Sequence, residues 1–237
     1  MYSSSESSSS SWSSLNEEFA HLNPKLTKGS TSDPYSIARA HIFENRYCDV
    51  LPSNSNIVRY RGKYFNASRY QNYILSQCPL HLDISKFWGI VQQEEVKTVV
   101  CLVPSSELDC DYFSSLNGKV IDQDDLFTIR KIKVNDKEIT HVHVTGWIDD
   151  GTITVTDLTR IVDLVLPDPR DPPNILVHCL AGIGRTGTMV AACLLRERPD
   201  AEVEDLIRTL RQARWGCVRT ENQYSLLNKF KECVQSK

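Results

Sequence analysis

The sequence has no long apolar run, no closely spaced pair of cysteines and no marked excess of charge of either sign. A membrane helix needs roughly 18 consecutive apolar residues, and nothing here approaches that, so no membrane insertion is expected. The opening residues Met1-Tyr2-Ser3-Ser4 carry neither the basic nor the apolar segment of a secretory leader, so Sec-type export is not expected either. With 27 Lys+Arg against 30 Asp+Glu, the net charge of −3 offers no footprint for nucleic acid or an anionic membrane. None of the eight cysteines forms a C-x-x-C pair, and among the six histidines only His141 and His143 lie close together. A structural zinc needs four converging nitrogen or sulfur ligands, so no metal is called for, and no cofactor. Most of the cysteines read as small buried apolar side chains in a chain long enough to build its own core.

What is present is an average globular composition, 41% hydrophobic and 24% charged over 237 residues, enough for about one domain. Residues 1–14 contain ten serines and the polar character persists to Pro34. That stretch has too few apolar residues to offset the entropy of ordering, so 1–35 is expected to be largely disordered and 36–237 to form the folded domain. Three short strands are expected within 57–76, a buried strand at Lys97–Val103, and a hairpin of Leu126–Val134 with Glu138–Val144 about the turn-forming Asn135-Asp136. A further buried strand, Ile175–His178, runs into a glycine-rich turn. Helices are expected from Arg185 to about Arg196, from about Ala201 to Ala213 and from Glu221 to Val234, the last two with apolar stripes at helical spacing. Strands early and helices late imply an α/β or α+β domain with a mostly covered sheet.

The chemistry concentrates in Asn174-Ile-Leu-Val-His-Cys179-Leu-Ala-Gly-Ile-Gly-Arg185-Thr-Gly-Thr188. A strand, a glycine-rich turn and a helix start present successive N–H groups to one point, a cradle for a tetrahedral anion built from Leu180, Ala181, Gly182, Ile183 and Gly184. The same field favours the thiolate of Cys179, which becomes a nucleophile beneath a bound oxyanion. Arg185 offers a planar fork for two oxygens of a phosphoryl group. Attack of sulfur on phosphorus fits, through a covalent phosphocysteine, with Thr186 placed to bond the sulfur as it leaves. His178 reads as an orienting or packing residue. Gly182-Ile-Gly184-Arg-Thr-Gly187 also spells the dinucleotide fingerprint, but that motif needs a second strand ending in an acidic residue about twenty positions on, where this chain has Pro199-Asp200-Ala-Glu-Val opening a helix.

His178-Cys179-x5-Arg185-Thr186-Gly187 resembles the signature of the cysteine-dependent protein tyrosine phosphatases, and the similarity runs over about 45–234. Asn45-Arg46-Tyr47-Cys48-Asp49-Val50-Leu51-Pro52 is similar to that family's phosphotyrosine-recognition loop. Tyr64-Phe65-Asn66-Ala67-Ser68, Gln77-Cys78-Pro79-Leu80 and Phe87-Trp88 follow its further motifs in order. The resemblance implies a highly twisted mixed sheet flanked by helices and an enzyme that hydrolyses phosphotyrosine in proteins. It implies Tyr47 stacking on the substrate ring, Asp49 bonding the substrate backbone, and Asp149 as general acid in Trp147-Ile148-Asp149-Asp150-Gly151, the place of the family's mobile Trp-Pro-Asp loop. Asp150 reads as a solvated neighbour and His143 as a packing residue. A low-pKa nucleophile of this type is also expected to oxidise reversibly.

Three departures stand out against that resemblance. Ile148 replaces the loop proline and removes a fixed φ. Arg219 falls where the family's water-positioning glutamine stands and cannot accept a hydrogen bond from water, so slow hydrolysis of the phosphoenzyme is expected; Gln223, matching the family's second glutamine, is the candidate substitute. Asp109 stands before Cys110 where the family usually carries a lysine. Alternatives are a slow or inactive phosphotyrosine-binding relative and a dual-specificity phosphatase. The expected compartment is cytoplasmic, with a bacterial effector acting in a host cytosol as the alternative, since Cys179–Met189 is somewhat similar to effector phosphatases.

Overall fold

The β-branched run after Lys97 forms a strand buried on both faces, as its composition requires. In the computed structural model, which describes Glu18, Phe19, His21, Leu22 and residues 33–236, that strand is β4 (Thr98–Cys101). It lies in an eight-stranded sheet with β1 (Ile57–Tyr60), β2 (Lys63–Tyr70), β3 (Tyr73–Gln77), β5 (Lys119–Gln123), β6 (Phe127–Val134), β7 (Lys137–Val144) and β8 (Ile175–Cys179), in the order β1-β2-β3-β8-β4-β7-β6-β5. The inner pairs β3/β8, β8/β4 and β4/β7 are parallel and the outer pairs antiparallel. The sheet is therefore mixed and the fold α/β, as expected.

The turn between β6 and β7 is made as the sequence indicates: Asn135 and Asp136 take φ of 44° and 66°, the left-handed pair that a tight two-residue hairpin needs and that Asn and Asp tolerate. From residue 33 onward the α-helices are α1 (Ser36–Ala40), α2 (Ile84–Gln93), α3 (Val155–Val165), α4 (Gly184–Glu197), α5 (Val203–Ala213) and α6 (Glu221–Gln235). The three expected C-terminal helices are present with bounds shifted by one or two residues. The sequence reading passed over α1, α2, α3 and β5, so helices are interleaved with the strands rather than gathered at the end. Helix α4 is buried along its length from Gly184 to Leu195 and packs on α3, α5, α6 and β8. It is the central pillar, and its N-terminus is aimed at the end of β8.

Most of residues 1–35 lie outside the described residues. Of those described, Phe19 and Leu22 are buried against the main core and Tyr224 Oη donates to Glu18 Oε2 at 2.9 Å. Packing onto the domain thus begins before the expected boundary at residue 36, because two apolar side chains find a surface on α5 and α6 that composition alone does not show. Six of the eight cysteines are buried, with Cys48 and Cys233 exposed, and all are free. Among the described residues no helix is long and apolar enough to cross a membrane.

Candidate active site

Strand β8 ends at Cys179, and the chain then bends through Leu180–Ile183 into α4. The carbonyls of this bend are all tied to its outer side. Leu180 O accepts from Cys78 N–H at 3.0 Å, Ala181 O and Gly182 O accept from Arg214 at 2.8 and 2.7 Å, and Ile183 O accepts from Gly187 N–H and Val218 N–H. In a trans peptide the C=O and the following N–H point opposite ways, so the N–H groups of Ala181, Gly182, Ile183 and Gly184 face the concave side. Gly182 N–H lies 3.2 Å from Cys179 Sγ and donates to it. Gly182 itself has φ +76°, and a Cβ there would stand 2.2 Å from Ser76 O; only glycine fits.

Arg185, in the first turn of α4, is fully buried, and its fork is engaged by three residues from other segments. Its Nη1 donates to Trp147 O at 2.8 Å and lies 2.9 Å from Glu107 Oε2, while Nη2 donates to Asp149 Oδ1 at 2.9 Å. Asp149 N–H in turn donates to Glu107 Oε1 at 3.2 Å. The loop 147–151 is thereby drawn over the Cys179 turn, and Cys179 is only 3% exposed. Trp147 is buried and its indole N–H donates to Gly151 O, closing the loop on itself. Ile148, in the proline's place, points outward and is 65% exposed. Asp150 adopts φ +52° and its Oδ1 lies 3.6 Å from Arg219 Nε, so the expected solvated neighbour has a partner.

The segment expected to meet the substrate's ring is fastened beside this turn. Asn45 accepts from Tyr64 Oη and from Asn66 Nδ2, and Arg46 N–H donates to Gln77 Oε1 at 2.9 Å, next to Cys179 in the β3/β8 register. Arg46 also forms a two-pronged pair with Asp109 at 2.6 and 3.0 Å. Asp109 therefore has a partner of its own, and it is Glu107, two residues earlier, that bonds the loop 147–151. Tyr47 is 40% exposed, and Asp49 lines a cavity of about 260 Å³ with Arg39, Cys48 and Trp215.

Behind the turn runs a buried polar chain. His178 Nδ1 lies 3.4 Å from Cys179 O, which can only accept, so this nitrogen carries the proton. His178 Nε2 is then bare and accepts from Tyr112 Oη at 2.6 Å, and Tyr112 Oη accepts from His141 Nε2–H at 2.9 Å. The remaining His141 Nδ1 is a lone pair without a partner among the described residues. Burial pushes His178 down to about 3 and His141 well below the usual histidine range, so both stay neutral. His143 is held by Val103 O at 2.8 Å.

Gln223 caps α6. Its Oε1 accepts from Arg219 N–H and Thr220 N–H, at 2.9 and 3.4 Å, while Thr220 Oγ1 accepts from Gln223 N–H. The oxygen that would take a proton bond from a hydrolytic water is thus committed to the cap. Its Nε2 is buried, has no partner among the described residues and would sit 3.3 Å from a Cβ on Gly184, facing the turn. Thr186 Oγ1 is likewise buried and unpartnered among the described residues, with no bond to Cys179 Sγ.

Glu107, Tyr112, His141 and Arg214 were not singled out as functional from the sequence. Arg214 is the least expected. It is completely buried and, among the described residues, bonds no carboxylate but Ala181 O, Gly182 O, Asn66 Oδ1 and Ser68 Oγ, and burial pulls its pKa below the ordinary guanidinium value. Its only trace in the sequence is an arginine at the end of a helix, a common surface pattern.

A cysteine at the end of a central parallel strand, a turn with inward N–H groups, a buried arginine closing that turn and a carboxylate loop above it together define the architecture of the cysteine-dependent phosphatases. Residues 41–230 match the family described as protein-tyrosine phosphatase, and the chain belongs to that family. Human tyrosine-protein phosphatase non-receptor type 7 is 27% identical over 252 residues, covering 90% of this chain and 69% of that protein. Human tyrosine-protein phosphatase non-receptor type 13 is 28% identical over 219 residues, 76% of this chain but 9% of that protein. Tyrosine-protein phosphatase 2 of Dictyostelium discoideum is 30% identical over 232 residues, 79% of this chain and 61% of that protein. The chain thus spans between a small fraction and about two thirds of the relatives it matches.

Proposed function

We propose that this protein hydrolyses phosphotyrosine in protein substrates by way of a phosphocysteine on Cys179. The observation that supports the reading is one short turn that carries Cys179 Sγ under the Gly182 N–H at its start and the Arg185 fork on the Asp149 carboxyl at its end. The incoming phosphoryl group takes the place of Asp149 on Arg185 and lies in the N–H cradle. Sulfur attacks phosphorus, the bond from phosphorus to the phenolic oxygen breaks, and Asp149 in its acid form donates its proton to that oxygen. Water then attacks phosphorus, the S–P bond breaks, and Asp149 takes the water's proton. Such a positioned acid contributes about 10²–10⁴-fold for a poor leaving group. Tyr47 and Asp49, on the fastened loop beside the turn, are the groups we assign to the ring and backbone of the substrate. The proposed compartment is the cytosol.

One observation favours slow turnover: the residue at 219 is an arginine, and the nearby Gln223 oxygen is already bonded twice. On this reading phosphoenzyme hydrolysis lags its formation. Rapid mixing with para-nitrophenyl phosphate should give a burst near one equivalent followed by a slower steady rate, and Cys179→Ser should abolish both phases. Phosphotyrosine peptides should be turned over and phosphothreonine peptides not. A wild type that binds phosphotyrosine peptides without releasing phosphate would make it a binding module; equal rates on both peptides would make it a dual-specificity enzyme.

A further inference from the structure

The acid loop is held by two adjacent aspartates on two different arginines, and only one of these contacts can survive substrate binding. Asp149 sits on Arg185 Nη2, the group that the phosphoryl dianion must occupy in the reading above, on which this inference rests. Asp150 sits on Arg219, outside the turn. The chain aims both partners. The turn Ile148–Gly151 is closed by Gly151 N–H to Ile148 O at 3.2 Å, with Asp150 in the left-handed conformation that Asp accepts. On the other side, Val218 is a buried β-branched residue at φ +59°, a strained state. It is held at both ends: its N–H donates to Ile183 O and its O accepts from Arg211 Nη2 at 2.7 Å. Arg219 follows directly, its N–H fixed by the α6 cap. Strain is thus maintained at the residue that projects Arg219 toward the acid loop.

We infer that Arg219 and Asp150 form a latch that keeps the acid loop over the site after phosphate displaces Asp149 from Arg185, so that both are positioning residues for proton delivery. The loop has a particular need of one. Ile148 lacks the fixed φ that a proline would supply, so the closed loop must be restrained from outside. Both side chains of the pair are more than half exposed, 56% and 57%, so the contact is weak. An exposed ion pair of roughly 0.2–1 kcal/mol corresponds to about 1.4- to 5-fold in the closed population, enough to set a rate that depends on loop closure.

The test is single-turnover phosphoenzyme formation by the full chain with two aryl phosphates, para-nitrophenyl phosphate, whose leaving group needs little protonation, and phenyl phosphate, whose leaving group needs it. Asp150→Asn, which keeps tolerance of positive φ, and Arg219→Met should each slow the step about 1.4- to 5-fold with phenyl phosphate and leave the nitrophenyl rate near wild type. The double variant should be no slower than either single. Additive losses, equal slowing with both substrates, or no slowing would each overturn the latch while leaving the phosphatase reading intact. A wild type that forms no phosphoenzyme from either substrate would overturn both.

Discussion

Replacing Tyr112 by Phe removes one oxygen atom and tests the polar chain behind Cys179. The ring packs edge-on against Phe87 and Phe113 and at a tilt to Trp88, and those contacts remain. What goes is the hydroxyl that donates to His178 Nε2 and accepts from His141 Nε2–H, in a site with no access to water. Neither imidazole can escape by changing tautomer. His178 needs its proton on Nδ1 for Cys179 O, and His141 would only exchange one unpartnered donor for another. An orphaned buried polar group costs about 1–3 kcal/mol, so the two together should cost roughly 2–6 kcal/mol. In a domain of this size each kcal/mol moves Tm by about 2–4 °C, which predicts a fall of roughly 4–24 °C by calorimetry at pH 7. The hydroxyl also favours the neutral form of His178, so its pKa should rise from about 3 when followed by NMR of the imidazole. Adding His141→Leu to the Phe variant should cost less than His141→Leu alone, because the donor left stranded by the first change is gone. A Tm within about 1 °C of wild type would show that the hydroxyl does not bridge the two histidines.

Gly182→Ala should destabilise by more than about 2 kcal/mol, of which the left-handed conformation alone accounts for about 1–2, because the new methyl meets backbone at Ser76 rather than a side chain that can move; urea titration with an unchanged midpoint would refute this. Glu107→Gln leaves the Arg185 charge less compensated, so the free protein should melt lower while vanadate or tungstate raises Tm by more than in wild type; an equal or smaller ligand shift would show that Glu107 does not compete with anions for Arg185. Burial lowers the pKa of His178 to about 3 from an unfolded value near 6.5, so below pH 6.5 the unfolded chain binds the extra proton and stability is lost as pH falls. The loss is about 1.4 kcal/mol per pH unit, or roughly 2 kcal/mol between pH 6.5 and 5 from His178 alone, with His141 adding in the same direction; equal urea midpoints at pH 7 and 5 would refute it. Asp149→Asn should slow phosphoenzyme formation by about 10²-fold or more with phenyl phosphate and much less with para-nitrophenyl phosphate; if the two substrates slow alike, the proton comes from elsewhere.

Much of this was written locally. The hairpin at Asn135-Asp136, the buried β4 and β8 and the three C-terminal helices follow from periodicity and turn chemistry, which act over a few residues. Helix α3 is a different case. Its core positions Leu158, Ile161, Val162 and Val165 keep helical spacing, but so many β-branched residues suit a strand equally well. Strand β5, wholly exposed, has no buried face to impose an alternation.

Cys179, the turn after it and the arginine that closes the turn lie within one short stretch, so the sequence by itself brought them together. It could not show how the turn is held. That depends on Arg214 reaching the carbonyls of 181 and 182 from the end of α5, on Glu107 meeting Arg185 and the acid loop, and on Tyr112 joining two histidines from different strands. Those partners are tens of residues distant along the chain. A buried charge or hydroxyl is tolerable only where other segments supply its hydrogen bonds, and only the folded arrangement decides which segments those are.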